Sequence, residues 1–192
     1  MDHTELLLYC TRAALFAAAV CALWGLWYAL HRRRASPLTV RGFWLRFAMV
    51  FYLSALLQIT VIRGADTLYC FWKLPHAPLS ALQLTPLHTI LWAWRLGGDY
   101  FLYQIVGNIV WFVPLSLLGA ILWRPFRRAW CAILTGALIS CGIEVCQWVF
   151  ASGNTDVDDI LLNTLGAALG WLLWAALSAL LRRSRQAREK TK

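Results

Sequence analysis

The chain carries little acid. Nine aspartates and glutamates stand against eighteen lysines and arginines in 192 residues, a formal net charge of +9. No aromatic-rich soluble module accompanies this basic excess, so a nucleic-acid partner is not the reading to take from it. No C-x-x-C pair occurs among the six cysteines, which removes the common zinc-ligand pattern. G-x-S-x-G, H-E-x-x-H and a lipid-phosphatase-like histidine and basic motif are all missing. His76 and His88 stand alone and read as interfacial polar residues. No internal repeat is visible, and with it goes the usual sign of a secondary transporter. The start, Met1-Asp2-His3-Thr4-Glu5, has no basic n-region, and the apolar run after it is too long for a cleaved signal peptide.

What the chain has in abundance is apolar surface. Hydrophobic residues make up 60% of it, with twelve tryptophans and a mean hydropathy of +0.59. Soluble domains hold roughly 45–50% apolar residues. Apolar runs of about 20 residues recur, each long enough to cross a hydrocarbon core of roughly 30 Å. They predict five membrane-spanning helices, at residues 6–30, 43–62, 101–123, 130–150 and 160–181. The stretch 79–96 is interrupted by Pro86 and made polar by Gln83, His88 and Arg95. It reads as an interfacial or re-entrant helix, not a sixth span. The expectation is an all-α integral membrane protein, a single polytopic domain over 1–192. Most cysteines fall inside spans and read as small inert side chains; Cys10 and Cys70 alone lie near the oxidising face, where a bond between them is the alternative.

Charge gives the orientation. Basic residues cluster at Arg32, Arg33, Arg34 and Arg41, at Arg124, Arg127 and Arg128, and in the tail from Arg182 to Lys192. With five spans all three clusters share one side, which the positive-inside rule makes cytoplasmic. Counting Arg46, that side holds fourteen of the eighteen basic residues. The N-terminus is therefore expected outside, the C-terminus inside, and the basic tail 182–192 against anionic lipid.

The scarce acids concentrate in GNTDVDDILLNTLGAALG, residues 153–170, at the outer mouth of the fifth span. Thr155 and Asp158 match the T-x-x-D form of a capping box, and acids suit a helix N-terminus. A cap needs one or two acids, not Asp156, Asp158 and Asp159 together with Asn163. Asp156, Asp159 and Asn163 share a helical face, continued by Gly166, Ala167 and Gly170, small residues that admit a neighbouring helix. In the fourth span Glu144 and Gln147 sit at i and i+3, with Glu144 roughly 9 Å below the outer end. An ionised carboxylate at such a depth costs on the order of 2.5–3.5 kcal/mol, so it must pair, protonate or face water. Asn108, six residues before Pro114 in the third span, falls at nearly the same level. The reading is an outward-facing polar pocket of Asn108, Glu144, Gln147 and Asn163, with Asp156 and Asp159 at its rim. A structural hydrogen bond between helices is the alternative for Glu144.

These residues carry a resemblance. The segments QLTPLHTI (83–90), NIVWFVPLSLLG (108–119), GIEVCQW (142–148) and TDVDDILLNTLGAALG (155–170) resemble the VanZ-like family of bacterial membrane proteins, over about residues 50–178. The resemblance points to Pro86, Asn108, Pro114, Glu144, Gln147, Asp156, Asp158, Asp159, Asn163 and Gly166 as family positions. It implies a bacterial cytoplasmic membrane protein linked to resistance against glycopeptides, teicoplanin above all. An arginine common just before the family's acid run is replaced here by Gly153 and Asn154. Arg63 and Arg95, both expected outside, are the candidates to stand in for it.

Two classes of function follow. In one the pocket binds an amphipathic envelope ligand, a glycopeptide or a lipid-linked cell-wall precursor, aided by Tyr69, Phe71, Trp72, Trp92, Trp94 and Trp148 at headgroup level. For most of these aromatics an ordinary interfacial belt is the simpler reading. In the other the chain is a membrane-embedded hydrolase or transferase acting on a lipid-linked substrate. Glu144 would then be paired with Asp156 or Asp159 as acid and base, with Mg²⁺ or Ca²⁺ an option for the oxygen ligands. The first class is favoured, because no catalytic signature supports the second.

Overall fold

A computed structural model describes residues 3–31, 38–62, 78–79 and 82–190. The described chain is helical, in the order α1 (His3–His31), α2 (Val40–Thr60), α3 (His88–Leu96), α4 (Gly98–Leu122), α5 (Ala129–Phe150) and α6 (Val157–Lys190). All but α3 are long and apolar enough to cross a membrane. The five expected spans are present. The non-spanning helix expected at 79–96 is narrower, covering only His88–Leu96. Pro86 disfavours helix for Thr85 before it, and Leu87 has a positive φ of 65°, so no helix can run through this point.

The chain divides into two compact units. One comprises Met1–Thr89 with Ile139–Ile160, the other Ile90–Leu138 with Leu161–Lys192. In the first unit α1 packs along α2. Ala13, Ala17 and Cys21, four residues apart, are the buried stripe of α1; their small side chains let α2 approach. Leu7, Leu15, Leu23, Leu26 and Leu30 stay exposed on α1, as they can where lipid is the solvent. In the first turn of α2, Phe43 meets Trp24 and Tyr28 of α1 at ring-centroid distances of 5.3 and 5.4 Å. Thr39 caps α2, its hydroxyl accepting the Gly42 N–H at 3.1 Å.

In the second unit α4 and α6 approach backbone to backbone. A Cβ added to Gly166 would collide with the Ile109 carbonyl oxygen, and one on Gly170 with that of Val113. Ala167 lies against Gly136 of α5 in the same way. The small-residue face predicted on the fifth span is thus a packing face. Ala93, Ile105 and Leu162 form a core joining α3, α4 and α6 within this unit. Leu102–Gly107 of α4 is π-helical, and Pro114 sits inside the helix without ending it. The α6 helix runs 34 residues, about 51 Å at 1.5 Å per residue, and carries the basic tail as an unbroken exposed continuation.

The five described cysteines are free thiols. Cys70 lies outside the described residues, so a Cys10–Cys70 bond does too.

Candidate functional site

Asp156 and Asp158 of the acid run accept two backbone N–H groups and one hydroxyl. α5 ends at Phe150 in a reversal through Ala151, whose φ is 48°. The Ala151 N–H returns to the Trp148 carbonyl and the Ser152 N–H to the Gln147 carbonyl, the hydrogen-bond pair of a Schellman motif. This turn brings residues 155–158 back beside the end of α5. Glu144, 3% exposed, then accepts the Asp156 N–H on Oε2 at 2.8 Å. The Thr155 hydroxyl donates to the Glu144 backbone carbonyl at 3.2 Å.

Asp156 is the N-cap of α6. Its Oδ1 accepts the Asp158 N–H at 2.9 Å, two residues into the helix, as an N-cap acid does. The capping box expected from Thr155 and Asp158 is therefore not the arrangement found. The pattern T-D-V-D-D offers two registers, and Thr155 is drawn off by the Glu144 carbonyl. Asp158 is fully buried, and its Oδ1 accepts the Leu87 N–H at 2.6 Å. The second oxygen of Asp156 accepts the Thr89 hydroxyl.

These bonds fasten residues 83–89 to the start of α6. The Gln83 N–H donates to the Thr155 carbonyl at 2.9 Å and the Val157 N–H to the Gln83 carbonyl at 3.0 Å, a single parallel bridge between Gln83 and Asp156. The fastened strip holds its own shape too: Gln83 meets His88 Nδ1 through Nε2 at 2.9 Å and accepts the Thr85 N–H at 3.1 Å. Thr85 and His88 are exposed on it.

Gln147 is also buried, and its Nε2 donates to the Thr60 carbonyl at the end of α2, at 3.1 Å. Glu144, Gln147, Asp156 and Asp158 belong to the first unit, together with residues 83–89. Asp159 is half-buried in the first turn of α6. Asn108 and Asn163 belong to the second unit. Asn163 is buried on α6. Asn108 is half-buried on α4, its Nδ2 donating to the Gln104 carbonyl at 3.0 Å. The Asn108 N–H, at the end of the π-helical turn, donates to the Ile105 carbonyl. Arg95 is exposed in the last turn of α3, and Arg63 lies outside the described residues. Among the described residues no three His, Cys, Asp or Glu side chains gather as a metal-holding group.

The sequence reading missed Leu87 and Thr89 as partners of the acids. The sequence marked only a polar break there, with Pro86 and with Gln83, Thr85, His88 and Thr89 in an apolar stretch, and not its partners.

A profile of the VanZ/LLP1 family matches residues 49–180. This chain belongs to the VanZ/LLP1 family. The family region takes in α3 to α5, the fastened strip, and α6 as far as its last apolar turns. With five membrane-length helices, the VanZ/LLP1 chain is a multi-pass membrane protein. It is similar to the protein VanZ of Enterococcus faecium, 30% identical over 73 residues, which span 37% of this chain and 44% of that protein. The match therefore covers under half of the relative's length. No solved structure matches this VanZ/LLP1 chain.

Proposed function

We propose that this protein works in the bacterial cytoplasmic membrane, where it binds an amphipathic envelope ligand at the outer leaflet. The ligand is a glycopeptide such as teicoplanin, or a lipid-linked cell-wall precursor, and binding lowers sensitivity to the antibiotic. The observation that carries this reading is the network of Glu144, Asp156 and Asp158. Three carboxylates at the ends of membrane-length helices are spent on positioning one strip of chain. Retaining buried acids there is expensive, and the outcome is a fixed exposed surface bearing Thr85 and His88 beside Leu84 and Leu87. The acids are in this reading positioning residues, and the strip makes contact with the ligand.

The test is binding of labelled teicoplanin and of lipid-linked precursor to purified protein in nanodiscs, alongside teicoplanin susceptibility of cells expressing it. Glu144→Ala, checked for retained helicity, is expected to weaken binding at least tenfold and restore susceptibility. Equal binding by wild type and a folded Glu144→Ala protein would remove the network from the function.

A further inference from the structure

We propose that Gln147 and Ser152 form an acceptor site for a primary ammonium group, carried by a phospholipid headgroup or by a free amine. Gln147 is 3% exposed. Its amide orientation is fixed, because only the Nε2 end can donate to the Thr60 carbonyl. The opposite end is therefore the carbonyl oxygen Oε1, which is buried and receives no hydrogen bond from the described residues. Ser152 Oγ is buried and likewise has no partner among the described residues. The two residues are joined through the bond from the Ser152 N–H to the Gln147 backbone carbonyl, at 3.0 Å.

A buried acceptor with no donor is rare and demands an explanation. The surroundings say what kind of donor is missing. Thr60 ends α2, and Gln147 lies in the last turn of α5; both helix C-termini present partial negative charge. Glu144 lies three residues before Gln147, on the same face of α5. Every feature favours a donor that is also positively charged. A compact ammonium, with three N–H groups and no acceptor, suits uncharged oxygen acceptors such as an amide oxygen and a hydroxyl. The planar fork of a guanidinium is matched instead by a carboxylate or phosphate.

This goes beyond the envelope-ligand reading, and its probe is a headgroup, not an antibiotic. The experiment is native mass spectrometry of the purified full chain, titrated with short-chain phosphatidylethanolamine or phosphatidylcholine. The two carry the same charge, but only the first has N–H donors. Wild type is expected to bind phosphatidylethanolamine about tenfold tighter, the worth of a charge-assisted hydrogen bond. Gln147→Leu and Ser152→Ala are each expected to shrink that ratio. Competition by ethylammonium chloride would assign the site to free amines, and no competition would assign it to the lipid; either supports an ammonium site. Equal affinity for the two lipids in wild type overturns the proposal, and leaves a trapped water as the partner of Gln147. An intact ratio in whichever of the two variants folds, judged by thermal unfolding, overturns it as well. None of these results bears on teicoplanin susceptibility, so the two readings fail separately.

Discussion

At the scale of single residues, Glu144 and Ala151 bear opposite kinds of load. Glu144 satisfies a buried backbone N–H, that of Asp156. Truncation to alanine leaves that donor stranded, at about 1–3 kcal/mol. Glu144→Gln keeps a carbonyl oxygen where the carboxylate was. Thermal unfolding in detergent should therefore show a clear fall in midpoint for Glu144→Ala and less than half that fall for Glu144→Gln. A similar fall in both would mean that charge, and not the hydrogen bond, holds the turn. Ala151 carries backbone strain, with its φ of 48° at the position where helices most often place glycine. Replacing it by glycine relieves about 1 kcal/mol of left-handed strain and loses about as much to the entropy of a freer unfolded chain. Ala151→Gly should be neutral within about 0.5 kcal/mol on those two figures. Ala151→Val, β-branched and poorly tolerated at positive φ, should destabilise by about 1–3 kcal/mol. The same unfolding assay checks both.

At the scale of elements, the close crossing of α4 and α6 is the most exposed to a single methyl group. At Gly166 and Gly170 the obstacle is a carbonyl oxygen of α4, which cannot rotate away as a side chain can. The helices must part, so Gly166→Ala and Gly170→Ala should each destabilise by about 1–3 kcal/mol. Together they should cost less than the sum, since the first already separates the helices. Gly142 is the control, for a Cβ there meets nothing within 4 Å. Gly142→Ala should be neutral or stabilising by up to about 1 kcal/mol. If all three glycines respond alike, the crossing is not what the difference measures. This crossing was legible in the sequence, because Asn163, Gly166, Ala167 and Gly170 repeat at helical spacing and all four are buried. The strip at 83–89 was not. Its bonds join Gln83 to Thr155 and Leu87 to Asp158 across some seventy residues, and local pattern is silent about partners so far apart. For Asn108, counting residues gave a level within its span but not the bond its amide makes to Gln104, one turn back on the same helix.

At the scale of the whole molecule, the open quantity is which way the chain crosses the membrane. Charge gives the direction expected, and the length of α6 gives the crossing. The three arginine clusters fall on one side of a five-span chain, and short basic loops are retained in the cytoplasm. The crossing itself is set within α6. From Asp159 to Arg182 is 23 residues, about 35 Å of helix, close to a hydrocarbon thickness of roughly 30 Å. Sliding α6 in either direction would draw acids or arginines into lipid, at about 2.5–3.5 kcal/mol for each. Its ends are thus held at the two interfaces, and the helix beyond Arg182 projects a further ~12 Å with every side chain exposed. Asn154 and Ser184, both exposed, then belong to opposite compartments. In a protein freed of its own cysteines, Asn154→Cys should react with a membrane-impermeant maleimide in intact spheroplasts. Ser184→Cys should react only after lysis. The reverse pattern would place Glu144 and the acid run on the cytoplasmic face, where no glycopeptide reaches them. Labelling at both sites before lysis would mean that α6 does not cross at all, against the ~35 Å apolar length that fixes its ends.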